Sequence, residues 1–135
     1  HHHGLLFCWK IRTGLGNNTS PLRIKEYSDW FFRTHLKPHF QIEEGQLFPV
    51  LGRQHHMVKQ AISEHRRLEG LFRSKTELEK NMKLIAEELD HHIRFEERVL
   101  FNELQKVATA DQWQLLESIH EEVSDAPPWD DEFWG

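Results

Sequence analysis

An all-α fold is predicted: an up-down-up-down antiparallel four-helix bundle with a short extra C-terminal helix and an aromatic, acidic tail. Three features of the sequence predict it. Glycine and proline are sparse and cluster at a few points, so the stretches between them are long enough for bundle helices. Within those stretches apolar residues recur at steps of three and four, the period of one helix face. No segment alternates apolar and polar residues in the manner of a half-buried strand.

The first helix is expected from about His1 to Leu15, with His1, Leu5, Cys8, Ile11 and Leu15 on its inner face. Gly14, Gly16, Asn17 and Asn18 end it. Ser20 then offers an N-cap, with Pro21 at the first helical position. The second helix runs to about Glu44, with Ile24, Tyr27, Phe31, His35, His39, Ile42 and Glu43 near one face and a kink at Pro38. Pro49 and Gly52 mark the next turn. The third helix spans about His55 to Phe72, with the stripe Val58, Ala61, Ile62, His65, Leu68 and Phe72. Ser74 and Glu77 have the spacing of a capping box for the fourth helix. Its stripe is Leu78, Met82, Ile85, Leu89, His92, Glu96 and Val99. Asp111 caps a short fifth helix through about Val123. In the tail, Trp129, Phe133 and Trp134 are expected to pack loosely on the bundle. The bundle is thus assigned to residues 1–123 and the tail to 124–135.

Bulk composition bounds the function. A chain of 135 residues suits one domain with one core. The net charge of −5, with no basic cluster, argues against nucleic acid as a partner. No apolar run approaches the roughly 20 residues that span a bilayer, and no signal peptide is visible, so no membrane partner is expected. The single cysteine, Cys8, leaves no internal disulfide to form, and a reducing, cytoplasmic setting is expected. Eleven histidines are the unusual feature. Three open the chain, as the end of a purification tag would; the other eight require another reason.

One internal comparison supplies it. The segment from His39 to Phe48 (HFQIEEGQLF) aligns without gaps on the segment from His92 to Phe101 (HIRFEERVLF). The histidine, both glutamates, the leucine and the phenylalanine coincide. In each copy a histidine precedes a glutamate by four residues, about one turn. Both side chains therefore leave the same face, about 6 Å apart along the axis. That is the face predicted to be buried. A buried ionised carboxylate costs several kcal/mol unless it is paired or bound to a cation. No lysine or arginine lies on these stripes at the matching depth. A cation held by both copies resolves the conflict, and imidazole with carboxylate favours iron, manganese or zinc over calcium or magnesium. Glutamates from opposing helices also bridge two metals roughly 3.5–4 Å apart.

Two further histidines fall on core stripes. His65 sits in the third, and His1 heads the first. A lone core histidine is ordinarily a hydrogen-bonded packing residue, but two copies of His-x-x-x-Glu on core faces are not explained that way. His1 is preferred to the adjacent His2 because Leu5, Cys8, Ile11 and Leu15 follow it on one face; below His2 lie Leu6, Trp9 and Thr13. The expected metal ligands are His1, His39, Glu43, His65, His92 and Glu96. His35, one turn before His39, is either a substitute ligand, a hydrogen-bond donor behind the ligands or a polar residue at the bundle end. His55, His56, His91 and His120 are expected to be solvated, and Cys8 to be packing.

Taken together, the two HxxxEExxLF segments, Phe48-Pro49 and Glu64-His65 resemble the hemerythrin HHE cation-binding family over nearly the whole chain up to about residue 105. The resemblance implies an up-down-up-down bundle holding two iron ions as an oxo- or hydroxo-bridged di-iron centre, with manganese or zinc as substitutes. It implies His39, His65 and His92 as terminal ligands, Glu43 and Glu96 as bridging carboxylates and His1 as the ligand from the first helix. It also implies a small diatomic ligand or peroxide as partner, in oxygen binding, oxygen or iron sensing, or the handling of peroxide and nitric oxide. Two departures stand out. Oxygen-carrying hemerythrins place a second histidine four residues before the one matching His65, where this chain has Ala61. They use an aspartate five residues after the last-helix histidine, where this chain has Glu96 at four. A binding or sensing module and an enzyme turning over oxygen, peroxide or nitric oxide share this site. Ferritin-like oxidases use Glu-x-x-His spacing instead, and a metal-free interaction helix would not need the paired motifs.

Overall fold

The computed structural model describes residues 2–120 and 129–135, and among these every regular element is helical. Helix α1 is His2–Gly16. It ends where Asn18 takes a left-handed conformation (φ 59°), which asparagine tolerates better than most residues, and Thr19 N–H donates back to Gly14 O at 3.0 Å. Helix α2, residues 21–51, is continuous, and Ser20 and Pro21 open it as the sequence predicts, without a side-chain cap bond. Helix α3 is His56–Arg73, α4 covers residues 78–107, and α5 is Ala110–His120.

α2 does not stop near Glu44. Two π turns interrupt its α-helical course, Phe32–Leu36 and Glu43–Leu47, and a proline lies two residues beyond each, Pro38 and Pro49. A wide turn, closed by an i→i−5 bond, makes room for a ring that lacks an N–H and would clash in a regular helix. Lys37 N–H donates to Phe32 O and Phe48 N–H to Glu43 O in this pattern. The helix therefore runs on to Leu51 and ends at Gly52, whose φ of 94° favours glycine. α4 carries a third π turn, Glu96–Leu100, at the equivalent place in the repeated motif.

That turn changes which residues face inward. Val99, predicted to lie in the core stripe, is exposed, whereas Leu100, Phe101 and Leu104 are buried. A π turn holds more residues than an α turn, so a residue three after Glu96 falls short of the inner face and the next two reach it. Leu47 and Phe48 are buried after Glu43 for the same reason.

The caps also differ from expectation. Ser74 and Glu77 form no capping box: Glu77 sits at φ 47° and ψ 48° with no side-chain cap bond. Asn81 holds that turn instead, its Nδ2 donating to Ser74 Oγ at 2.8 Å and Thr76 O at 2.9 Å. The N-cap of α3 is His55, whose Nδ1 accepts from Met57 N–H at 3.1 Å. α5 starts with a reciprocal pair at Thr109 and Gln112 in place of the expected Asp111 cap. Its predicted end at Val123 lies outside the described residues.

The buried apolar side chains fall into two clusters. One contains Phe7, Ile24, Phe31, Phe40, Leu68, Phe72, Ile85 and Ile93; the other contains Leu47, Phe48, Val58, Ala61, Leu100 and Leu104. α1 packs mainly along the Leu78–Phe95 stretch of α4, where a Cβ on Gly4 would meet Ile93 Cδ1 at 2.6 Å. The described part of the tail, residues 129–135, is anchored more firmly than expected. Phe133 is buried against Gly14 and Tyr27, Arg23 forms a two-pronged ion pair with Asp131, and Lys10 Nζ lies 4.1 Å from the Trp134 ring centre. None of the described helices is long and apolar enough to cross a membrane.

Candidate metal centre

The seam between the two apolar clusters is where the polar residues are buried. On α2, Glu43 lies between Phe40 of one cluster and Leu47 of the other. On α3, His65 lies between Leu68 and Ala61, and on α4, Glu96 lies between Ile93 and Leu100. Glu43 and Glu96 are fully buried; His65 and His92 are 2% exposed. One ligand atom from each of Glu43, His65, His92 and Glu96 lies within 4.8 Å of all the others.

The contacts radiate from His65. Its Nε2 is 3.4 Å from Glu43 Oε1 and 3.5 Å from Glu96 Oε1. His92 Nε2 is 2.5 Å from Glu96 Oε1, and His39 Nε2 is 3.5 Å from Glu43 Oε1. Each repeated motif thus sets its own imidazole beside its own carboxylate, as the one-turn spacing requires. Most of these separations are long for hydrogen bonds. Neither oxygen of Glu43 makes a well-formed one. A fully buried carboxylate left in that state is costly, and its surroundings are imidazole nitrogens and a second carboxylate. This donor set suits a divalent transition-metal ion.

The outer nitrogens of the two buried imidazoles are held as well. His65 Nδ1 is 2.8 Å from Glu44 Oε2, and His92 Nδ1 is 2.6 Å from Glu64 Oε1. Glu64 Oε2 also accepts from Gln60 Nε2 at 3.0 Å. The Phe40 ring stacks on His65 with centroids 3.7 Å apart and turns its edge relation to His92 at 5.8 Å. Glu44, Glu64 and Phe40 were not among the expected site residues. Their signal was present, since Glu44 and Phe40 belong to the repeated segment and Glu64 precedes His65.

These contacts set the charge states of the metal-free chain. Burial alone would lower the His65 imidazolium, but Glu43, Glu44 and Glu96 outweigh it and push it up to about 11. Burial likewise opposes the His92 imidazolium, and Glu96 and Glu64 push it up to about 9. Hydrogen bonding from His65 holds Glu44 below the usual carboxylate range. Without metal, both imidazoles therefore favour the protonated form beside these glutamates.

The remaining expected positions divide as follows. His39 sits at the edge of the cluster, beside Glu43. His1 lies outside the described residues, as does the side chain of its alternative, His2. His35 is half-buried and packs on aromatic rings, 5.2 Å from Phe31 and 5.3 Å from Trp30. His56 and His91 are exposed, as expected; His55 is instead half-buried, its ring held at the N-cap of α3, and the side chain of His120 lies outside the described residues. Cys8 is buried, and burial pushes its thiol up to about 12, in keeping with a packing role.

Neither a curated protein nor a solved structure matches the chain. The family model of the hemerythrin HHE cation binding domain does match, over residues 10–77, half of the 135-residue chain. The matched part carries His39, Glu43, Glu44, Glu64 and His65, and the internal repeat brings His92 and Glu96 to the same seam. The chain belongs to the hemerythrin HHE cation-binding domain family.

Proposed function

We propose that the chain is a non-haem di-iron protein that binds or senses oxygen, iron or a related small ligand such as peroxide or nitric oxide. The observation that carries this reading is the meeting of two fully buried carboxylates, from different helices, on one imidazole nitrogen, His65 Nε2. Each carboxylate also has an imidazole from its own helix, His39 for Glu43 and His92 for Glu96. Two half-sites sharing two carboxylates is the arrangement that suits a pair of ions. In this reading Glu43 and Glu96 bridge, His39, His65 and His92 are terminal ligands, and His1 supplies the ligand from α1. Bound iron would contribute redox chemistry and an open position for a small ligand. The chain holds the donors in place, and the apolar clusters on either side, with Phe40 over His65, keep bulk water away.

The same reading takes the four long helices as an up-down-up-down antiparallel bundle. The order of the clusters supports it: α2 and α4 pass from the Phe40–Ile93 cluster to the Leu47–Leu100 cluster, and α3 passes the other way. Metal analysis with an absorption spectrum of aerobically purified protein tests the function. Two iron ions per chain with near-ultraviolet charge-transfer bands are expected. One zinc and no second ion would sink the proposal.

Stable oxygen carriage is not expected. Ala61, one turn before His65, is fully buried in the apolar cluster and offers no donor where oxygen carriers place one. Fewer neutral nitrogen donors relative to carboxylate favour the ferric state. Anaerobically reduced, iron-loaded protein exposed to oxygen should convert one way to the ferric spectrum. Full recovery of the reduced spectrum on degassing, over repeated cycles, would refute this.

A further inference from the structure

The outer nitrogens of the two buried imidazoles are not left to solvent or to backbone carbonyls. Each is claimed by a carboxylate from the preceding helix. Glu44 on α2 takes His65 Nδ1 on α3 at 2.8 Å, and Glu64, the neighbour of His65, takes His92 Nδ1 on α4 at 2.6 Å. The pairs form a relay around the centre, α2 to α3 to α4. Both glutamates are only partly buried, so their charge is tolerated where they stand, while the imidazoles they hold are almost wholly enclosed. An imidazole that donates its Nδ1–H to a carboxylate is fixed in the tautomer whose Nε2 carries the lone pair. In both residues Nε2 is the nitrogen turned toward Glu43 and Glu96.

We propose that Glu44 and Glu64 are positioning residues that select Nε2 as the metal-binding nitrogen of His65 and His92 and raise its donor strength. The inference rests on the reading of those histidines as metal ligands. An anionic acceptor behind an imidazole makes it a stronger donor, and a stronger donor favours the higher oxidation state of the ion it binds. The two carboxylates therefore tune affinity and potential without touching the metal. Glu88 is the natural comparison: it lies on the same helix as His92, but its carboxylate pairs with Arg67, at 3.0 Å, and not with an imidazole.

Glu44→Gln and Glu64→Gln retain size and an acceptor oxygen and remove only the charge. Each is expected to weaken Fe(II) binding about tenfold or more, read anaerobically by competition with a chromophoric chelator. Each is also expected to move the midpoint potential of the bound iron positive. Glu88→Gln is expected to change neither. In the zinc-loaded wild type, two imidazole N–H protons are expected far downfield in the proton NMR spectrum, one of which moves upfield in each variant. A chain of wild-type helicity whose affinity and potential are unchanged in both Glu44→Gln and Glu64→Gln overturns the inference. So does a zinc-loaded wild type without the downfield protons, which needs no variant to fold. A wild type that takes up neither iron nor zinc overturns the metal reading and this inference together, whereas wild-type-like variants overturn this inference alone.

Discussion

Stripping the metal is expected to lower the melting temperature by roughly 10 °C or more near neutral pH, and by more at pH 9. The first part follows from mass action. A ligand present at about 1,000 times its dissociation constant stabilises the folded state by about 4 kcal/mol, and for a domain of this size 1 kcal/mol moves the melting temperature by roughly 3–5 °C. The second part follows from the protons that stand in for the metal. In the metal-free chain the folded-state values of His92 and His65 are raised to about 9 and about 11, above the ordinary value of about 6.5. A raised histidine contributes stability that is fully present below about pH 6.5 and is lost as pH climbs through the folded-state value. The metal-free protein should therefore weaken from pH 7 to 9 as His92 gives up its proton, and further toward pH 11 with His65. The loaded protein should not, because metal requires neutral imidazole and competes better as protons leave. Melting curves of loaded and verified metal-free protein across pH 6–9.5 measure the gap. Parallel profiles, or no change on chelation, would mean that any ion sits outside the seam.

Glu43→Ala and Glu96→Ala are each expected to cost at least one of the two metal ions per chain, while His35→Ala leaves metal content unchanged. Both glutamates are fully buried and both lie against His65 Nε2, so removing either takes away a donor shared by the two half-sites. His35 precedes the repeated motif by one turn, but its ring is occupied with Phe31, Trp30 and His3. Iron content per chain after identical loading is the measurement. Equal loss from His35→Ala would show that the ligand set is misassigned.

The helices and the centre of the site were legible because they depend on spacing, and spacing is written in the sequence. Stripes in α3 and the first part of α4 predict the buried residues well, and the repeated His-x-x-x-Glu by itself places two carboxylates on inner faces. What was not legible depends on departures from a constant period or on pairing across helices. Val99 was assigned to the core because a stripe assumes one period throughout, and the π turn after Glu96 breaks it. α2 was ended too early because Pro49 reads as a stop, and only the wide turn before it lets the helix pass. Phe7 was missed on α1 because the chosen stripe lay to one side of the buried face, where Phe7 meets Tyr27 and Phe31 of α2 and Phe72 of α3. The Ser74–Glu77 box failed because a left-handed Glu77 cannot be inferred from residue type. Glu44 and Glu64 were overlooked for a different reason: the repeat and the Glu64-His65 pair mark them, but spacing along one helix does not say which ring on another helix each carboxylate meets.

The wide turns after Glu43 and Glu96 bear on whether this centre could be moved elsewhere. A straight helix bearing the same His and Glu, one turn apart, would present both ligands correctly. It would then carry Phe48 and Phe101, five residues after the glutamates, away from the interior, because the extra residue that brings them back would be missing. The ten-residue segment is thus the smallest portable unit of the site, not the ligand pair inside it. A designer grafting the ligands onto an idealised bundle would have to copy the irregular turn as well, or replace the apolar residues that follow with others in a new phase.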